Sequence, residues 1–125
     1  MALTTMWGER NDMANDATQA KDVAKRNLIR TIVAAVFHQD DVGAVNAKLG
    51  DGDWCNVTVC NTRFDRRLHD RIFNVRGDDN DGATKLSLSH PISAMDVEPL
   101  GEGSFKLTLK SPHKLLYINV EGLAQ

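Results

Sequence analysis

The sequence has little cysteine and no large excess of charge of either sign. Its 125 residues include two cysteines, too few for the disulfide framework that stabilises small secreted domains. The formal net charge is −2, which argues against a uniformly basic nucleic-acid-binding protein and against a disordered polyelectrolyte. Hydrophobic residues make up 42% of the chain, so length and composition predict a single globular domain over residues 1–125.

Long apolar segments are missing as well. The longest unbroken apolar run, Ile32 to Phe37, has six residues, whereas a membrane-spanning helix needs about 20. Residues 1–9 contain no basic segment followed by an apolar stretch, so they do not resemble a signal peptide. We therefore expect a soluble, cytoplasmic protein with no membrane span.

Apolar residues recur at helical spacing after Asp16. No glycine or proline occurs between Asp16 and His38, and Asn15 or Asp16 could cap a helix that starts there. This pattern predicts a long helix over residues 16–38.

Residues 1–12 show no clear period and predict an N-terminal arm. We expect this arm to mediate self-association through Met6 and Trp7, because large apolar groups at a terminus usually need a surface that covers them.

Residues 54–76 predict a mixture of strand and short helix. Trp54 to Cys60 alternates as a strand does, which would direct Cys55 and Cys60 to opposite faces. Phe64, Leu68 and Ile72 have the i, i+4, i+8 spacing of a helix over about 62–70. A strand over 71–76 competes for the end of that helix, and the pattern leaves both open.

The last third of the sequence shows the clearest alternation of apolar and polar residues. Leu86 and Leu88 begin it, and the run Phe105 to Leu109 continues it. Short polar turns with glycine or proline separate these segments, which predicts a C-terminal four-strand antiparallel meander over residues 84–120. With one long N-terminal helix packed on a mainly antiparallel sheet, the predicted fold class is α+β.

The polar face of this predicted meander carries charges of both signs. We expect Asp96 and Glu98 to pair with Lys106 and Lys110 across neighbouring strands. A face with one tyrosine, Tyr117, lacks the aromatic platform on which single-stranded nucleic acid stacks. These charges therefore require no ligand to explain them.

Five arginines crowd one short segment and form the candidate interaction or anion-binding site: Arg63, Arg66, Arg67, Arg71 and Arg76. A guanidinium group binds phosphate or carboxylate through two parallel hydrogen bonds, so nucleic acid, nucleotide and small anions are candidate ligands. If residues 62–72 were helical, Arg63, Arg67 and Arg71 would form one stripe.

The neighbours of these arginines argue against a polyanionic ligand. Residues 62–76 have a net charge of +3, whereas residues 40–53 and residues 77–82 each have a net charge of −3. These acidic blocks would repel a polyanion or pair with the arginines. The pattern therefore favours pairing within the chain or with a second subunit.

Motifs that would indicate an enzyme are scarce. The histidines are widely spaced, the cysteines do not form a CxxC pair, and no glycine-rich phosphate loop is present. Asp65 and His69 could form an oriented imidazole, and Asp78 to Asp81 loosely resemble a calcium loop without its glutamate. We assign no catalytic residue, no metal ligand and no cofactor.

These features favour a non-enzymatic interaction or assembly protein that is a homo-oligomer or binds a protein partner. Small size and the lack of catalytic motifs suggest an accessory, inhibitory or structural protein of a phage or another mobile element. One alternative is nucleic-acid or nucleotide binding through the arginine segment. Another is a small nuclease-like enzyme that uses histidine and arginine.

Overall fold

The computed structural model describes residues 2–37, 43–110 and 112–122, and for residues 2–18 it describes the backbone alone. In these residues helix α1 spans Ala2–Phe37 and is followed by strands β1 (Val45–Leu49), β2 (Cys55–Asp65), β3 (Asp70–Asp78), β4 (Thr84–Pro91), β5 (Met95–Gly101), β6 (Ser104–Lys110) and β7 (His113–Val120). A short 3₁₀ helix, Ile92–Ala94, joins β4 to β5. The predicted α+β class is confirmed. No helix in the described part of the chain is both long enough and apolar enough to cross a bilayer.

The helix begins earlier than the sequence indicated. It starts at Ala2 rather than near Asp16, so the predicted arm of residues 1–12 is helical from Ala2 onward and the predicted cap is wrong. One glycine, Gly8, interrupts an otherwise helix-compatible stretch there, and a single internal glycine costs only about 1 kcal/mol. The predicted end at His38 lies outside the described residues.

The described strands form one antiparallel sheet in the order β4-β3-β2-β1-β7-β6-β5. Its edge strands, β4 and β5, are neighbours in sequence and are joined by the three residues Ile92–Ala94. Four Cα–Cα steps limit the distance between Pro91 and Met95 to about 15 Å, whereas the edges of a flat sheet of this size would be about 29 Å apart. The sheet must therefore coil strongly, and its edges meet at this corner.

The predicted C-terminal meander is wrong in its connections. All four strands exist, but β4 pairs with β3 while β5, β6 and β7 form a separate three-strand meander. The two groups are joined through β1, which pairs with β2 on one side and with β7 on the other. β1 lies within the acidic block of residues 40–53, where no strand was predicted because a run of five residues is too short to show a clear period.

Residues 62–72 form a hairpin rather than a helix. β2 and β3 pair from Asn56 with Asp78 to Asp65 with Asp70, and a four-residue turn joins them. Asn74 Nδ2 donates to Asn61 Oδ1 across this hairpin at 2.9 Å, and Ser89 Oγ of β4 donates to Asn74 Oδ1 at 2.6 Å on the other side of β3. The pairing of β2 with β3 joins residues that are distant in sequence, and these contacts outweigh the local helical spacing of Phe64, Leu68 and Ile72.

The core lies between α1 and the concave face of the sheet. It contains fully buried side chains from α1 and from β1, β2, β3, β5, β6 and β7, including Ile32, Val45, Val57, Phe73, Met95, Leu107 and Leu116. Cys55 and Cys60 are both buried in it, contrary to the expectation that they point to opposite faces. A register shift between Val57 and Val59 adds one residue to β2 and reverses the alternation beyond it.

The outer face of β5 and β6 carries the predicted ion pairs. Lys106 Nζ lies 3.3 Å from Glu98 Oε2, and Lys110 Nζ lies 3.2 Å from Asp96 Oδ2. Both pairs are substantially exposed, so each contributes at most about 1 kcal/mol. The prediction that Asp96 and Glu98 form ion pairs with Lys106 and Lys110 across the strands is confirmed.

Candidate functional site

The predicted arginine segment lies on the β2–β3 hairpin, where its side chains diverge. Arg66 and Arg67 are in the turn at the hairpin tip. Arg63 lies opposite Ile72, and Arg71 lies opposite Phe64. Since successive residues of a strand point to opposite faces, Arg63 and Arg71 are on different sides of the hairpin. The helical stripe of Arg63, Arg67 and Arg71 therefore does not form.

Arg76 is bound within the chain. Its Nε donates to Asp78 Oδ1 at 3.3 Å, and its Nη2 donates to Asp78 Oδ2 at 3.4 Å. Thr58 Oγ1 also donates to Asp78 Oδ2, at 3.1 Å. The hydrogen bond from Arg76 is the main cause that lowers the pKa of Asp78 below its ordinary value, although burial opposes it. Arg76 is therefore the one arginine of the predicted segment that forms an ion pair within the described part of the chain.

A groove between α1 and the β2–β3 hairpin brings Arg71 together with two arginines that the sequence did not single out. This helix–hairpin groove has a volume of about 430 Å³ and contains Arg26, Arg30 and Arg71. Apolar side chains complete it, chiefly Val33 and Phe37 of α1 and Ile92 of the 3₁₀ helix. Among the described residues, no acidic side chain lines it.

The three arginines have few partners of their own. Arg26 Nε donates to the Asp22 carbonyl at the long distance of 3.4 Å. The guanidinium groups of Arg30 and Arg71 form no ion pair or hydrogen bond with another described residue. Arg26 and Arg30 are one helical turn apart, where like charges repel. The groove can therefore accept carboxylate or phosphate groups beside apolar surface.

Two charged side chains next to this groove hold the corner of the fold together. Lys25 Nζ donates to the carbonyls of Ile92, at 3.1 Å, and Met95, at 3.2 Å. Asp70 Oδ2 accepts from Ser93 Oγ at 2.5 Å and from the Ser93 amide at 3.2 Å. Partial burial alone would raise the pKa of Asp70, but the bonds from Ser93 and the nearby Lys25 charge lower it below its ordinary value. The ammonium group of Lys25 and the carboxylate of Asp70 are therefore both used in hydrogen bonds that stabilise the fold.

The sequence contained a weak signal for the groove. Arg26 and Arg30 lie at i, i+4 on the border of the apolar stripe of α1, a position from which a long side chain reaches over the neighbouring element. The sequence could not predict that Arg71 lies beside Arg26 and Arg30, because the β2–β3 hairpin and not local spacing places it there.

The opposite end of the β2–β3 hairpin is acidic. Asp51 and Asp53 lie in the loop before β2, and Asp79 and Asp81 lie in the loop after β3. Beside them, Trp54 is 51% exposed, and Lys48 Nζ lies 5.2 Å from the centroid of its ring. A depression of about 570 Å³ at this end is lined by Asp53, Trp54 and Asp79, among others.

Hydrogen bonds within the 79–83 loop give the Asp79 carboxylate a structural role. Asp79 Oδ1 accepts the amides of Asp81, at 2.9 Å, and Ala83, at 2.8 Å. Lys85 Nζ lies 3.8 Å from the other carboxylate oxygen of Asp79. In the described part of the chain, no three histidine, cysteine, aspartate or glutamate side chains are grouped so that they could hold a metal ion.

Both cysteines and His90 are buried, and Asp65 and His90 contact backbone atoms of their own turns. Burial raises the pKa of Cys60 to about 12. Burial and the charge of Asp53 also raise the pKa of Cys55. Asp65 Oδ1 accepts the amides of Arg67, at 2.8 Å, and Leu68, at 3.3 Å, so it closes the hairpin turn instead of orienting His69. Buried His90 has its Nε2 atom 3.0 Å from the Ala94 carbonyl.

Met6 and Trp7 lie on the part of α1 for which the backbone alone is described, so their role in self-association stays a prediction. The comparison with other proteins gives no further guide. No protein family, no curated protein and no solved structure matches this chain.

Proposed function

We propose that this protein is a non-enzymatic interaction domain whose helix–hairpin groove binds an acidic surface of a protein partner. The observation that carries the proposal is the convergence of Arg26, Arg30 and Arg71 on a groove that no described acidic residue lines. An i, i+4 pair of like charges alone destabilises a helix by about 0.2–0.5 kcal/mol. Carboxylates of a partner would replace this repulsion with charge-assisted hydrogen bonds.

Exposed apolar side chains near the groove support a protein partner over a small inorganic anion. Phe37, at the end of α1, is 84% exposed, and Phe64, which lines an adjoining depression with Arg26 and Arg71, is 56% exposed. Arginine and large apolar or aromatic side chains together are typical of the buried centre of protein interfaces. An inorganic anion would leave this apolar surface in water.

Single-stranded nucleic acid is the second candidate ligand. Phe64 lies directly opposite Arg71 in the β2–β3 pairing, and an exposed ring beside a guanidinium group is a stacking site for a base. The net charge of −2 and the acidic far end of the hairpin oppose long-range attraction of a polyanion. We therefore rank this ligand below an acidic protein surface.

Fluorescence anisotropy with two probes of equal charge tests the proposal. One probe is a labelled peptide rich in aspartate with one tryptophan, and the other is a labelled oligo(dT). The test variant is R30A/R71A, which removes two groove arginines. The matched control is R63A/R66A, which removes two arginines outside the groove and changes the net charge equally.

We expect the wild-type protein to bind the peptide more tightly than the oligonucleotide. R30A/R71A should weaken peptide binding by about tenfold or more, equivalent to about 1.4 kcal/mol, and R63A/R66A should leave it within about twofold. Equal losses in both variants would reduce the interaction to general charge attraction. Tighter binding of oligo(dT) would favour the nucleic-acid alternative.

A further inference from the structure

We infer that the acidic surface which fits the helix–hairpin groove is the opposite end of a second copy of the same chain, so that copies associate head to tail. The inference rests on the function proposed above and names the partner. It is drawn from the charges, the exposed tryptophan and the positions of the two ends on one hairpin.

The two ends have net charges of opposite sign, because the acidic end contains Asp51, Asp53, Asp79 and Asp81 against Lys48 and Lys85. At the acidic end, the side chains of Asp51, Asp53 and Asp81 form no ion pair with a described residue, whereas Asp79 is 3.8 Å from Lys85. Three unpaired carboxylates are thus available for the three groove arginines. Each guanidinium group can bind a carboxylate through two parallel hydrogen bonds.

The apolar surfaces also correspond. Trp54 directly follows Asp53 and exposes half of its surface at the acidic end. The groove offers the side chains of Val33, Phe37 and Ile92 beside its arginines. Lys48 Nζ lies over one face of the Trp54 ring, and the other face and the ring edge can contact the aliphatic groups or a guanidinium group of the groove.

The positions of the two ends exclude pairing within one molecule. They lie at opposite ends of β2, whose residues Cys55–Asp65 cover about 33 Å of extended chain. A two-fold dimer in which groove met groove would place like charges against each other. Contact between unlike ends generates a ring or an open filament when it is heterologous, and it closes into a dimer when two antiparallel copies make it twice about a two-fold axis.

Mixing two variants, each blocked at one end, tests the arrangement by sedimentation velocity. R30A/R71A removes the groove contacts, and D51N/D53N removes charges from the acidic end. We expect wild-type protein to form dimers or larger species as its concentration rises and each variant to self-associate at least about tenfold more weakly. The mixture should form a complex that stops at one copy of each, because one intact pair of unlike ends remains.

Two controls accompany the mixture. R63A/R66A should associate as the wild-type protein does, because its arginines lie outside the groove. Association should weaken at about 1 M salt, where the Debye length is only about 3 Å. Far-ultraviolet circular dichroism of each variant establishes that the fold is retained.

The outcomes separate this inference from the proposed function. A wild-type protein that is monomeric at all concentrations, or a mixture that forms no complex, overturns head-to-tail association. If that monomer still binds the acidic peptide through Arg30 and Arg71, the groove function stands and its partner is another protein. If neither association nor peptide binding occurs, both proposals fail.

Discussion

Arg76 and Asp78 lie two residues apart on β3 and form an ion pair in which the anion is the more buried partner. The distance from Arg76 Nε to Asp78 Oδ1 is 3.3 Å, and the Asp78 side chain is 12% exposed against 50% for Arg76. Because Thr58 Oγ1 also donates to this carboxylate at 3.1 Å, the pair joins β2 to β3 near the acidic end of the hairpin.

We expect this network to make stability sensitive to acid. The pKa values of Asp78 and Asp70 are lowered in the folded protein, Asp78 chiefly through Arg76 and Asp70 through Ser93 against the effect of burial. Their carboxylates therefore stabilise the fold above the unfolded pKa of about 3.9, and this contribution is lost as the pH falls through the folded pKa values.

Thermal unfolding followed by circular dichroism should show a falling Tm below about pH 4. D78N should lower the Tm at pH 7 and flatten that loss, and D81N is the control. A D78N profile parallel to that of the wild-type protein would contradict this assignment.

Lys25 should stabilise the fold although it is charged. Its ammonium group donates to the carbonyls of Ile92 and Met95 where the two sheet edges meet. K25M keeps most of the apolar stem but removes both hydrogen bonds, so we expect a loss of about 2 kcal/mol in the free energy of unfolding. Urea denaturation measures it, and K21M, which changes an exposed lysine one turn earlier in the same helix, is the control. Equal midpoints for the two variants would show that these bonds contribute nothing.

Arg71 should account for the effect of the whole arginine segment on association. Of Arg63, Arg67 and Arg71, only Arg71 lines the groove, so R71A should weaken self-association as much as R63A/R67A/R71A does.

Binding of the wild-type protein to duplex DNA should be weaker than micromolar at physiological salt. If the segment did bind duplex DNA through phosphates, the slope of log K against log salt would flatten by about 0.9 for each contact removed. A loss of about three such units in the triple variant would identify a nucleic-acid site.

Met6 and Trp7 provide an independent test of self-association. Both residues lie on the first turns of α1, and we predict that they add apolar contacts between copies. M6S/W7S should reduce the sedimentation coefficient at a given concentration, whereas T4S/T5S should not. Superimposable concentration series for M6S/W7S and the wild-type protein would remove these residues from the interface.

Local patterns predicted the helix and most strands because those elements bury one regular face. The alternation from Phe105 to Leu109 and the apolar stripe through Leu28 and Ile32 needed no knowledge of distant residues. The hairpin at 62–72 was ambiguous for the opposite reason. Phe64, Leu68 and Ile72 satisfy helical spacing, and only the pairing of β2 with β3 decides against it.

The candidate site was predicted in part because only part of it is local. Arg71 was in the predicted segment, but Arg26 and Arg30 come from another element, and sequence patterns do not place α1 beside the hairpin. The β-bulge between Val57 and Val59 is a similar case. It has no glycine to mark it, and it alone directs both cysteines to the core.

The pairing of β1 with β7 has a consequence for how the protein is synthesised. Val45 pairs with Val120 and Leu49 with Leu116, so β1 keeps an open edge until β7 has left the ribosome. Open interior edges recruit strands from other molecules. A premature stop before His113 should therefore yield aggregated protein and not a smaller folded unit. We therefore expect β7, which contributes no side chain to the helix–hairpin groove, to be required for correct folding of the newly synthesised chain.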